Sequence, residues 1–104
     1  MTERLVDDVF LEVVHEFVNA LNSRARARIE AGHPPLYREF GFTMGRTRAR
    51  VFSFDSNRPD GGKQSHVFVC RDGLVRRSDS WEKSGRILGR PSDHKVLEYV
   101  GGPA

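Results

Sequence analysis

Between Thr2 and Ala31 the apolar residues Val6, Phe10, Val13, Phe17 and Leu21 recur at spacings of three and four, the period of an amphipathic helix. Thr2 is placed to cap its start, acids crowd the first turns, and Arg24, Arg26 and Arg28 fill the last ones. Gly32 stands where a helix closes in a left-handed residue, just ahead of Pro34 and Pro35. Leu5, Val9, Val14 and Val18 widen the apolar stripe beyond the needs of one sheet, which points to a second contact such as the other subunit of a homodimer.

After the prolines the period changes to two. Tyr37–Thr43 and Thr47–Asp55 read as strands turning at Met44 and Gly45, followed by a polar loop over residues 56–65. His66–Arg71 and Leu74–Asp79 flank Asp72-Gly73, a two-residue hairpin signal. That turn sets 70 opposite 75, 68 opposite 77 and 66 opposite 79. His66, Phe68, Cys70, Val75, Arg77 and Asp79 would then share one face, and Val67, Val69, Arg71, Leu74, Arg76 and Ser78 the other. Past Trp81 the chain reads as irregular, with a last short strand at Lys95–Val100 and a tail over 101–104. The expected fold class is α+β, one domain over 1–104, with a helix (1–31) packed on a three- to five-stranded, mainly antiparallel sheet inside 37–100.

No apolar run approaches the roughly 20 residues that span a bilayer, and Glu3, Asp7 and Asp8 stand where a signal peptide would be basic. Cys70 is the single cysteine, so the chain forms no internal disulfide, and a cytoplasmic location is expected. The net charge of +3 is unevenly spread: residues 1–23 hold one base against five acids, the remainder 16 bases against nine acids. Fourteen of the 17 bases are arginine, a residue suited to bidentate contacts with phosphate.

Side-chain alternation puts Arg46, Arg48, Arg50, Phe52 and Phe54 on one strand face, the composition of a single-strand nucleic-acid platform. The packing alternative, with Phe52 and Phe54 flooring the helix and the arginines in solvent, is preferred because exposed Phe pairs are costly. Trp81, beside Lys83 and Arg86, is read first as a plug for the open end of the core and second as a stacking anchor. If Phe68 meets the helix, Arg71 and Arg76 project outward beside Val67, Val69 and Leu74, a part-apolar face to be covered by a partner or by the C-terminal segment; Arg90 extends the basic set. Asp60-Gly61-Gly62-Lys63 lacks the first glycine and the Ser/Thr of a phosphate loop. His66 and Cys70, four strand residues apart, cannot share a metal. His66 opposite Asp79 offers an acid–base pair, but a plain cross-strand polar pair is the simpler reading. No nucleophile, base and stabiliser combine, so no catalysis, cofactor or metal is expected.

The stretch HVFVCRDGLVRRSDSWEK at 66–83 resembles a pattern in small uncharacterised bacteriophage proteins, where a strand, a turn and a second strand lead into a Ser-Trp-Lys segment. It covers the middle third to half of the chain, and the Pro-Ala-Lys stretch of that pattern is lacking after Trp81. The resemblance implies a phage or mobile-element accessory protein acting in the host cytoplasm, and it carries no catalytic residue. The expected function is non-catalytic binding of nucleic acid or a nucleoprotein through a basic sheet face. Two rivals are a protein-binding inhibitor, such as an anti-defence factor, and a small basic ribonuclease using His66.

Overall fold

Helix α1 (Asp7–Glu30) buries Phe10, Val14, Phe17, Val18, Leu21 and Ala25 along one side, the stripe its periodicity demands. The computed structural model describes residues 7–33, 39–55 and 62–101, so the Thr2 cap and the 101–104 tail beyond Gly101 lie outside the described residues. The helix stops as its sequence requires. Gly32 takes φ +82° while its N–H donates to the Ile29 carbonyl and the His33 N–H to that of Arg28, the double hydrogen bond of a glycine C-terminal cap.

Five strands follow in an antiparallel meander of spatial order β1-β2-β3-β4-β5: β1 (Glu39–Met44), β2 (Arg48–Phe54), β3 (Gln64–Cys70), β4 (Val75–Ser78) and β5 (Ser84–Gly89). The fold class is therefore α+β, with α1 across one sheet face. Phe40, Ala49, Val51, Val67, Val69 and Val75 meet Phe10, Val14, Phe17, Val18 and Leu21 in the core. Edge strand β1 is tied to the helix by Asn22, whose Oδ1 accepts the Phe40 N–H at 2.8 Å and whose Nδ2 donates to the Phe40 carbonyl at 3.2 Å. Backbone groups that would otherwise leave this edge open are thereby used.

Three sequence expectations are corrected. The first hairpin turns at Arg46-Thr47, not at Met44-Gly45, because Gly45 pairs back to Arg48 (N–H to carbonyl, 2.9 Å); a Cβ there would lie 2.8 Å from that carbonyl oxygen. In the second hairpin Val69 stands opposite Val75 and Phe68 opposite Arg76. The loop is three residues long, Arg71-Asp72-Gly73, closed by the Cys70 N–H to the Leu74 carbonyl at 2.8 Å, with Gly73 at φ +85° and Asp72 Oδ1 accepting the Leu74 N–H. One extra loop residue shifts β4 by one against β3, so Val75 keeps its expected place under the helix but shares that face with Val67 and Val69, while Arg76 joins Phe68 on the other. Val67, Val69 and Val75 face the helix, and Phe68 and Arg76 face away from it.

The third correction concerns the C-terminus. Ser84–Gly89 is a strand where irregular chain is expected, and Lys95–Val100 lies in helix α2 (His94–Gly101) instead of a strand. Val96 and Val100, four apart, enter the core, and Gly101 lies against Leu21 and Arg24 of α1. Of the widened stripe on α1, Val14 and Val18 are buried in the core that α2 joins through Val96 and Val100, while Val9 stays 43% exposed and Leu5 lies outside the described residues.

Candidate functional site

The sheet face turned away from α1, here the outer face, is built by parity on β2. Ala49 and Val51 point into the core, so Arg48, Arg50, Phe52 and Phe54 point outward together. Contrary to the preferred sequence reading, Phe52 and Phe54 do not floor the helix. Their rings lie over Gly41 of β1, where a Cβ would come within 3.1–3.3 Å of both. Glycine lets the two rings, tilted 50° to each other, approach the strand this closely.

Across the sheet Arg50 is opposite Phe68, and Phe68 is opposite Arg76. Phe68 is 1% exposed although it lies on the outer face. Its cover is cationic: the Arg48 guanidinium carbon stands 4.0 Å from the ring centroid and that of Arg50 5.8 Å. Arg50 also lies 4.2 Å over the Trp81 ring, and Lys63 Nζ stands 4.7 Å from the Phe52 centroid. Phe52 and Trp81 are 6.2 Å apart. Rings and cations therefore interleave, each cation held by the negative face of an aromatic ring.

The short connection between β4 and β5 supplies the rest. Lys83 carbonyl accepts the Asp79 N–H, Ser80 Oγ accepts the Lys83 N–H, and Ser78 Oγ donates to the Ser80 carbonyl. This tight turn aims two carbonyls back across the sheet. Trp81 carbonyl accepts Arg50 Nε at 2.7 Å, and Glu82 carbonyl accepts from the Arg48 guanidinium. Both arginines are thus positioned by neutral main-chain oxygens, and among the described residues neither forms an ion pair with a carboxylate. Their charges are fixed in place and, among the described residues, not cancelled by a carboxylate.

Trp81 is 41% exposed and lies on this face, not in the core end it was expected to plug. Arg46 is exposed in the β1–β2 turn, and Lys83 in the β4–β5 turn. Arg76 belongs to the face, its Nη2 at 3.9 Å from Asp72. Arg71 does not: its guanidinium turns to the helix side, 2.5 Å from Asp7 and over the Phe10 ring. The expected outward pair is therefore parted at the hairpin loop, where Arg71 borders the same depression as Arg76 but commits its guanidinium to Asp7, and the C-terminal segment covers the helix side, leaving the outer face to the β4–β5 turn. Arg86 is exposed on β5, and Arg90 lies beyond it, its N–H bonded to Asp93 at 2.9 Å; neither joins the aromatic cluster.

His66 is separated from these arginines. A bulge opposite Val51 and Phe52 turns it to the helix side, where Nε2 lies 2.8 Å from Ser53 Oγ and the ring 5.8 Å from Phe40. Asp79 is taken by Arg77 at 2.7 Å, so the sequence-suggested His66–Asp79 pair is not formed. Burial pushes the His66 pKa below its ordinary 6.5. The unfolded chain then takes up the proton first as pH falls, so this contribution to stability is complete above pH 6.5 and lost below it. Urea midpoints between about pH 7.5 and pH 5.5 should fall more steeply for the native chain than for His66→Gln; equal slopes would refute the buried neutral imidazole.

Sequence reasoning leaves Phe68 and Lys63 out of the site, and it names Phe52 and Phe54 as a candidate platform but prefers them under the helix. The signal for Phe68 lay in the register of the β3–β4 hairpin, which a three-residue loop sets. No family model matches the chain, and neither a curated protein nor a solved structure matches it. No helix of the described residues is long and apolar enough to cross a membrane.

Proposed function

We propose that this protein is a non-catalytic binding module that engages nucleic acid through its outer sheet face, consistent with a phage-type accessory role in the cytoplasm. The observation that carries the reading is the state of Arg48 and Arg50: stacked on Phe68 and Trp81, oriented by main-chain carbonyls and not neutralised by a carboxylate among the described residues. A structural ion pair would serve the fold by itself. Uncancelled charge on preordered guanidiniums, beside a half-exposed indole, suits phosphates and bases.

The reading is tested with Arg48→Gln and Arg50→Gln combined. Each lost phosphate contact removes about 0.7 from the slope of log affinity against log salt on single strands, so the pair should flatten it by about 1.4. Binding that keeps its salt slope in the double variant would overturn the proposal. Retention of a stoichiometric protein from nuclease-treated lysate, with no oligonucleotide binding at low salt, would favour the inhibitor alternative.

A further inference from the structure

Two depressions that share Arg48 open on the outer face. The first, ≈ 240 Å³, is walled by Thr43, Arg46, Thr47, Arg48, Arg50 and Phe68, with no acid among its walls. The second, ≈ 400 Å³, is lined by Thr47, Arg48, Cys70, Arg71, Asp72, Arg76 and Ser84, the Arg71 guanidinium being held by Asp7. Arg48 and Thr47 are common to both. Each depression therefore combines several guanidiniums with hydroxyl donors, the donor set that surrounds a phosphate; in the first they come from β2 and the turn before it, in the second from β2 and β4 as well as the hairpin loop. The one acid, Asp72, has Oδ1 committed to the Leu74 N–H and stands 3.9 Å from Arg76, so it orients that guanidinium more than it fills the space.

Their spacing follows from the sheet. Arg50, Phe68 and Arg76 form one cross-strand row, with Arg48 one step along β2 on the same face. Neighbouring strands are about 4.8 Å apart and alternate residues about 7 Å apart, so the cations surround Phe68 at the scale of adjacent nucleotides. Beside the Arg50 end stands Trp81, 41% exposed, backed by Phe52. A base can stack there only if it is unpaired.

We infer that the two depressions are consecutive phosphate subsites for a single-stranded nucleic acid, bridged by Arg48, with an unpaired base stacked on Trp81. This inference rests on the proposed nucleic-acid reading and specifies its ligand. Cys70 lines the second depression and serves as a reporter. Burial, and then Asp72, push its thiol pKa up, so its alkylation is slow and readily followed at mildly alkaline pH.

The experiment measures Cys70 alkylation and anisotropy on the full chain with a short oligothymidylate, the same sequence as a duplex, and inorganic tripolyphosphate. The single strand should slow Cys70 alkylation in step with occupancy and bind more tightly than either competitor. Arg76→Gln should take about 0.7 from the salt slope, and Ser84→Ala should weaken binding with circular dichroism unchanged. Single-strand binding that leaves Cys70 unprotected and is indifferent to Arg76→Gln overturns the two subsites while leaving the nucleic-acid reading in place. Equal affinity for duplex or tripolyphosphate overturns the single-strand assignment. No binding of any oligonucleotide at low salt overturns both.

Discussion

Phe68→Ala is expected to lower the unfolding free energy by about 3 to 5 kcal/mol, the range for removing a fully buried Phe. Phe68 is 1% exposed, yet what covers it is the Arg48 and Arg50 guanidiniums and the β4–β5 turn they hold. Removing the ring leaves two cations over a cavity and releases their orientation. Stability and binding should therefore fall together, in denaturant titration and in oligonucleotide affinity. Phe68→Leu separates the effects, because it fills most of the space but offers no quadrupole to a cation: stability should recover more fully than affinity. A Phe68→Ala chain as stable as the native one would mean that the outer face is not a packed layer.

Trp81→Ala should weaken single-strand binding by about 1 to 3 kcal/mol, roughly 5- to 150-fold, the worth of one base–aromatic stack. Half-exposed and outside the core cluster, the indole contributes less to folding than Phe68 does. Trp81→Phe should restore a large part of the affinity, since a smaller ring still stacks. Unchanged binding by Trp81→Ala, with the fold intact by circular dichroism, would remove the base-stacking role.

The helix α1 was legible because its period, its terminal charges and Gly32 all agree, and the cap geometry at Gly32 and His33 follows from them. The alternation on β2 was equally legible: Arg48, Arg50, Phe52 and Phe54 do share a face. Which face is buried was not, because two Phe residues outweigh two arginines when strands are ranked by hydrophobicity alone. Only Ala49 and Val51, the smaller set, fit under a helix already carrying Phe10 and Phe17. The pairing of β3 residues with β4 residues on each face was missed for a different reason. Asp-Gly serves as a two-residue turn only when both residues have positive φ, and here Gly73 alone does. Arg71 joins the loop, and the strand slips by one residue.

The C-terminal helix was hidden by its length. Val96, Leu97 and Val100 have helical spacing, but eight residues give too few repeats to separate from a short strand. Strand β5 carries two glycines and only Ile87 and Leu88 as apolar residues, so its pairing with β4 comes from the sheet and not from its own composition.

The central claim is that a fixed, uncancelled cationic and aromatic face binds nucleic acid. The most direct measurement is anisotropy of a labelled oligothymidylate with the native chain across a series of salt concentrations. Log affinity should fall linearly with log salt, with a slope at least as steep as about −1.4 for two phosphate contacts. Absence of binding at low salt, or an affinity that does not change with salt, would contradict it.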